Sequence, residues 1–136
     1  MNDEIIKVTK QWLAKSRNDL KSASKLSAGT EPLLDTAIYH CQQAAEKSLK
    51  GYLVFYGIEF SKSHDLRLLI TLAGNNNNEF LELMEAGEIL TPYAVEYRYP
   101  DDIFEPDLEE YEEAFKLSCR IYDFVLNHLQ PLINLS

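Results

Sequence analysis

Apolar residues recur along this chain at steps of three and four and show no sustained alternation at two, so the pattern is helical throughout. Between Asp3 and about Leu26, the residues Ile5, Val8, Trp12, Ser16, Leu20, Ala23 and Leu26 share one face of a predicted amphipathic helix. Asp19 projects onto that same face, where a carboxylate is costly unless it is paired or hydrogen-bonded. Ala28, Gly29 and Thr30 end this helix, and Thr30 with Pro32 opens the next. The second helix is predicted from near Pro32 to Tyr56, with Gly57 as its C-cap. At about 100° per residue, Leu34, Ile38, Cys41, Ala45, Leu49, Tyr52 and Tyr56 form its apolar stripe. Leu33, Ala37, Ala44, Gly51 and Phe55 widen that stripe, and the small members let another backbone approach closely. The remaining arc gathers His40, Gln42, Gln43, Glu46, Lys47 and Lys50. Two readings of this arc stay open: an ordinary solvated face, or a ribbon of amides, an imidazole and ammoniums that serves a site.

The elements that follow are shorter. Ser63 is the expected N-cap of a helix from His64 to about Ala73, with Leu66, Leu69, Ile70 and Leu72 apolar. Gly74 to Asn78 reads as a polar loop, Glu79 to Ala86 as a short helix, and Glu88 to Tyr97 as a segment holding Pro92. Tyr99 precedes Pro100, so the chain must leave helix there. The last helix opens on Asp107 and Glu110, a D-x-x-E capping box. Glu109, Glu110, Glu112 and Glu113 crowd its first turns, where the helix dipole favours negative charge. Leu108, Tyr111, Phe115, Ser118, Tyr122, Val125, Leu129 and Leu132 then make a seam, and Pro131 disturbs the last turn. The predicted fold is all-α, an up-and-down bundle of three long helices plus short ones, in a single domain over all 136 residues.

Composition narrows the function classes. Apolar content of 46% argues for a folded globule. No run of about 18 apolar residues exists, so no membrane span is expected. Met1, Asn2, Asp3 and Glu4 lack the basic start of a signal peptide, which makes a cytoplasmic location the default. Cys41 and Cys119 fall within helical patterns, which suits a reduced compartment and a small apolar packing role. A formal charge of −9 argues against broad adhesion to DNA but leaves room for a local basic pocket. Catalytic triads, glycine-rich phosphate loops and zinc spacings are missing, so neither a metal nor a cofactor is expected.

A few residues carry candidate chemistry. Lys47 and Lys50 share the polar arc with Gln43. They converge on a phosphate if a neighbouring helix covers their stems, or snorkel to water if none does. Asp19 wants a cation, and Lys47 and Arg98 are the candidates. A buried ion pair that sets the bundle register is one reading, and catalysis is the other. His64, beside Asp65 at a helix start, can cap, pack or donate to a ligand. Arg98 lies between Tyr97 and Tyr99, whose rings can stack on a guanidinium or a base, or it can simply hold a turn through Asp101.

Four pieces occur in order: Trp12, Ser16, Asp19 and Leu20 on helix one; Gln43, Lys47 and Lys50 on helix two; His64-Asp65-Leu66; and Arg98-Tyr99-Pro100. Together they resemble the HEPN domain family (higher eukaryotes and prokaryotes nucleotide-binding) over nearly the whole chain. The resemblance implies a helical bundle that is commonly a homodimer. It also implies binding of a nucleotide or nucleic-acid end, with Lys47, Lys50, His64, Arg98 and Tyr99 in the matched motifs. Prokaryotic members often pair with a small nucleotidyltransferase as toxin–antitoxin or phage-defence systems. Several branches are metal-independent ribonucleases, with an Arg, four to six residues, then a His on the last long helix. This chain departs from that pattern. Its nearest pair, Arg120 and His128, has seven residues between them. On an ideal helix these two lie about 80° apart in azimuth and about 12 Å apart in rise. A ribonuclease toxin and a structural adaptor without ligand are therefore carried as alternatives to the binding or partner module.

Overall fold

The computed structural model describes residues 2–94 and 105–134. Within them the chain forms α1 (Asp3–Leu26), α2 (Leu34–Phe55), α3 (Leu66–Asn76), a 3-10 helix (Asn78–Leu83), α4 (Met84–Leu90), a 3-10 turn (Thr91–Ala94) and α5 (Leu108–Ile133). No strand occurs among the described residues, and the fold is all-α. Arg98, Tyr99 and the turn at Pro100 lie outside the described residues.

α1 and α2 run antiparallel, joined by a short connection in which the Leu33 amide donates to the Leu26 carbonyl at 2.7 Å. That bond places the start of α2 at Leu34, two residues beyond the expected Pro32, and Leu33 stands at the N-cap with no side-chain cap. The register is visible in three crossings. The Ser16 hydroxyl donates to the Ala44 carbonyl at 2.6 Å, Asp19 meets His40 and Lys47, and Thr9 faces Gly51. At Gly51 a Cβ would stand 3.2 Å from the Trp12 Cβ and 3.6 Å from the Thr9 carbonyl, so a larger residue there needs α1 to give by a few tenths of an ångström. The small residues of α2 are thus covered from within the chain.

α2 ends in a Schellman motif. Gly57 takes a φ of +66°, the Ile58 amide donates to Leu53 at 2.9 Å and the Gly57 amide to Val54 at 3.1 Å. On the other side α5 lies against α2, where the Ser118 hydroxyl donates to the Cys41 carbonyl at 2.6 Å. Its buried stripe is Tyr111, Ala114, Ser118, Ile121, Val125, Leu129 and Ile133, while the expected seam members Leu108 and Leu132 are exposed. The Asp107 carboxylate caps α5 by accepting from the Glu110 amide at 2.7 Å. Pro131 is accommodated inside the last turn, and the helix closes on Asn134 at a φ of +47°. α3 starts later than expected. Asp65, not Ser63, is its N-cap, and Ser63 instead accepts from the Asp65 amide at 3.0 Å. The helix also continues through Gly74, Asn75 and Asn76, because Asn77 supplies the next cap by accepting from Glu79.

Candidate functional site

α2 carries its polar residues inward. Gln42, Gln43, Glu46 and Lys50 are all buried, so the arc is not a solvated face. α1 covers it from one side, and the chain leading into α3 covers it from the other. Two carboxylates organise it. Asp19, 6% exposed, accepts from His40 Nδ1 at 2.7 Å through one oxygen and from Lys47 Nζ at 2.7 Å through the other. Both donors come from the same stripe of α2, seven residues apart, and together they lock α1 to α2.

Glu46, 4% exposed, is the second centre. It accepts from Gln42 Nε2 at 3.2 Å, from Lys50 Nζ at 3.0 Å and from His64 Nδ1 at 2.8 Å. Gln42 also donates to the His64 carbonyl at 3.1 Å and accepts from Gln43 at 2.8 Å, which extends the network along α2. Burial pushes the Glu46 carboxyl up, but hydrogen bonds from His64, Lys50 and Gln42 outweigh it and hold the group below its ordinary range. Lys50, 8% exposed, also lies between the Trp12 ring at 5.9 Å and the Phe60 ring at 5.7 Å. Its side chain is thus largely withdrawn from water. No buried side-chain nitrogen or oxygen among the described residues is left without a partner. No cluster of His, Cys, Asp and Glu among them suits a metal ion.

His64 stands just before α3 rather than in its first turn, so the helix dipole acts on Asp65 more than on the imidazole. Its side chain is 67% exposed while Nδ1 stays fixed on buried Glu46, which leaves Nε2 toward solvent. Lys47 is one quarter exposed and reaches the rim of the same seam. Of the sequence candidates, the fold therefore gathers Asp19, Lys47, Lys50 and His64 along one seam. Sequence reasoning did not single out His40 or Glu46. The signals were there: His40 and Lys47 are seven apart on α2, and Gln42, Glu46 and Lys50 form an i, i+4 ladder.

The remaining pair sits elsewhere. His128 donates through Nδ1 to the Phe124 carbonyl at 2.8 Å, and its Nε2 lies 2.9 Å from the Glu79 carboxylate. Its ring stacks on Phe124 at 4.4 Å between centroids, with Phe80 at 5.4 Å. Arg120 donates to the Glu82 carbonyl at 3.4 Å. Both residues tie the 3-10 helix Asn78–Leu83 to α5.

The HEPN domain family model matches residues 9–129. The chain belongs to the HEPN domain family. Solved structures agree. TT1696 from Thermus thermophilus superposes with a TM-score of 0.72 at 28% identity, over 88% of this chain and 96% of that one. ST0689, an archaeal HEPN homologue, superposes with a TM-score of 0.69 at 24% identity, over 89% of this chain and 97% of that one. No curated protein matches. In this HEPN chain Arg120 and His128 approach the 3-10 helix through different residues, and neither directs its polar atoms at a shared point.

Proposed function

We propose that this HEPN chain, one helical module over residues 1–136, works in the cytoplasm as a homodimer that partners a nucleotidyltransferase in a toxin–antitoxin or defence-type pair. On this reading it cleaves no RNA by itself. The observation that carries the reading is the employment of Arg120 and His128. The imidazole has a ring nitrogen on the Phe124 carbonyl and the other on Glu79, so it has no free nitrogen for proton transfer to a reacting hydroxyl. The guanidinium contacts the Glu82 carbonyl instead of a phosphate. The homodimer draws its support from the family pattern.

Contact with a nucleotide or nucleic-acid end is a second part of the reading, favoured by His64. Its outward Nε2 is steered by Glu46, and Lys47 stands at the same rim, with Arg98 and Tyr99 as the further candidates. Lys50 acts beneath them as a positioning residue, since its ammonium holds Glu46 and Glu46 holds His64. Light scattering should give a dimer. Co-expression with a nucleotidyltransferase from the same genome should give a complex that survives purification. Single-stranded and structured RNA should stay intact with pure protein. Robust metal-independent cleavage abolished by His128→Ala or Arg120→Ala overturns the proposal in favour of the toxin.

A further inference from the structure

A groove of about 460 Å³ runs between α1 and the C-terminal half of α5, away from the polar seam of α2. Lys10, Arg17 and Lys21 line it from α1, together with Asn18, Tyr122 and Asn134. Its charge is opposite to that of the whole chain. α1 holds Lys7, Lys10, Lys15, Arg17, Lys21 and Lys25, six of the thirteen basic residues, against Asp3, Glu4 and buried Asp19. None of Lys10, Arg17 and Lys21 has a carboxylate within 4.0 Å among the described residues, whereas Lys47 and Lys50 each do. The three are exposed and fall within about 20° of one azimuth, spread over about 16 Å of helix axis. Arg17 and Tyr122 line the groove together, and the pKa of the Tyr122 hydroxyl is raised by burial while the Arg17 charge pulls it back. Asp123, next to Tyr122 in the chain, acts on the same hydroxyl in the raising direction.

We propose that the α1/α5 groove binds a single-stranded nucleic-acid segment, with Lys10, Arg17 and Lys21 on successive phosphates and Tyr122 against a base. A line of separated cations suits a ligand whose charge repeats along its length, as a phosphodiester strand does, better than one compact anion. An aromatic ring beside the line supplies the stacking surface that unpaired bases use. The asparagines add amide donors and acceptors for base or sugar edges. This site is separate from the His64 rim and independent of the partner reading.

The test is fluorescence anisotropy of full-length protein with a fluorescein-labelled single-stranded RNA decamer at two salt concentrations. The expected result is binding that weakens with salt along a log–log slope of about −2, as three phosphate contacts require. Lys10→Glu/Arg17→Glu/Lys21→Glu should weaken binding about tenfold or more at low salt. Lys15→Glu/Lys62→Glu/Lys116→Glu, which changes net charge equally outside the groove, should weaken it far less. Circular dichroism confirms that the variants fold, and Arg17→Glu alone replaces the triple variant if that one does not. No binding by the unmodified protein overturns the proposal, as does equal loss in the two triple variants. So does ATP or a poly-aspartate peptide competing as strongly as the unlabelled decamer.

Discussion

Lys50 and Arg17 carry the same charge, and helices packed against each other present them. On α2, Lys50 is buried against Glu46 and between two aromatic faces, and Lys47 is held by Asp19. On α1, Lys10, Arg17 and Lys21 stand exposed in a groove with no carboxylate in reach among the described residues. Of the basic residues that look most like a site in the sequence, Lys50 is held inside the bundle and Lys47 is shared between Asp19 and the rim, whereas those that look like ordinary helix surface have no such carboxylate among the described residues. A cation's neighbours decide its role. A buried carboxylate turns a lysine into part of the register of the bundle, while an open groove leaves its charge unspent.

If the α2 network serves cohesion, its carboxylates should be the costliest residues to remove. Glu46→Ala leaves the Lys50 ammonium and the Gln42 amide buried without their acceptor. It should lose about 3–5 kcal/mol in urea or thermal unfolding, as expected when one member of a buried pair is deleted. Lys50→Met in that background should cost far less than it does alone, because the orphaned charge is gone. The pH dependence follows from the same geometry. The folded Glu46 carboxyl lies below its ordinary value of 4.5, so its stabilisation is complete above that value and fades as pH falls through the lower folded one. Glu46→Gln should therefore flatten the acid limb of a stability–pH curve. An acid limb that does not change in this variant means that other groups govern acid unfolding.

Asp19→Ala should come next, at about 3 kcal/mol, the lower end for a buried pair because Lys47 keeps some access to water. The variant frees His40 as well as Lys47, so the loss should be spread over both α1–α2 contacts. A change within about 0.5 kcal/mol would show that Asp19 contributes nothing to the register.

The sequence made some of this legible and hid the rest for definite reasons. α1 from Asp3 to Leu26 and the Asp107 cap of α5 could be read because local signals decide them, namely a periodic apolar face, a Gly29 terminator and a D-x-x-E start. Asp19 stood out because a lone carboxylate on an apolar arc violates the pattern around it. The burial of Gln42, Glu46 and Lys50 was not legible. A polar arc looks the same whether water or another element covers it, and the covering pieces lie far away in the chain, at Trp12, Phe60 and His64. The α3 boundaries moved because Ser63 and Asp65 are both good caps, and the competition is settled by the Ser63 hydroxyl accepting from Asp65. The α5 seam was misplaced at its ends, where Leu108 and Leu132 have the right period but stay exposed. The stripe of Lys10, Arg17 and Lys21 was present at seven- and four-residue spacings. It gained meaning only when α5 closed a groove beside it.

His128→Ala probes a third kind of basic residue, one that staples a short element. It should cost about 1–2 kcal/mol, the sum of two hydrogen bonds and an aromatic stack at a partly exposed site. Hydrogen exchange should accelerate first in Asn78–Leu83, the segment held there. A global loss as large as that of Glu46→Ala would instead place His128 among the residues that define the core.

The smallest effect should come from the groove. Lys10→Glu/Arg17→Glu/Lys21→Glu reverses three cationic charges, yet none of the three holds a carboxylate or a buried acceptor among the described residues. Exposed charges away from such partners usually change stability by less than about 0.5 kcal/mol each. Reversal adds negative charge to a chain already at −9, so any loss should shrink as salt screens that repulsion. Urea midpoints at low and high salt check this. A large, salt-insensitive loss would mean that the groove cations pack or pair as their counterparts on α2 do, and the contrast between the two helices would disappear. A small, salt-sensitive loss with intact folding leaves these charges free, in energetic terms, for a ligand's phosphates.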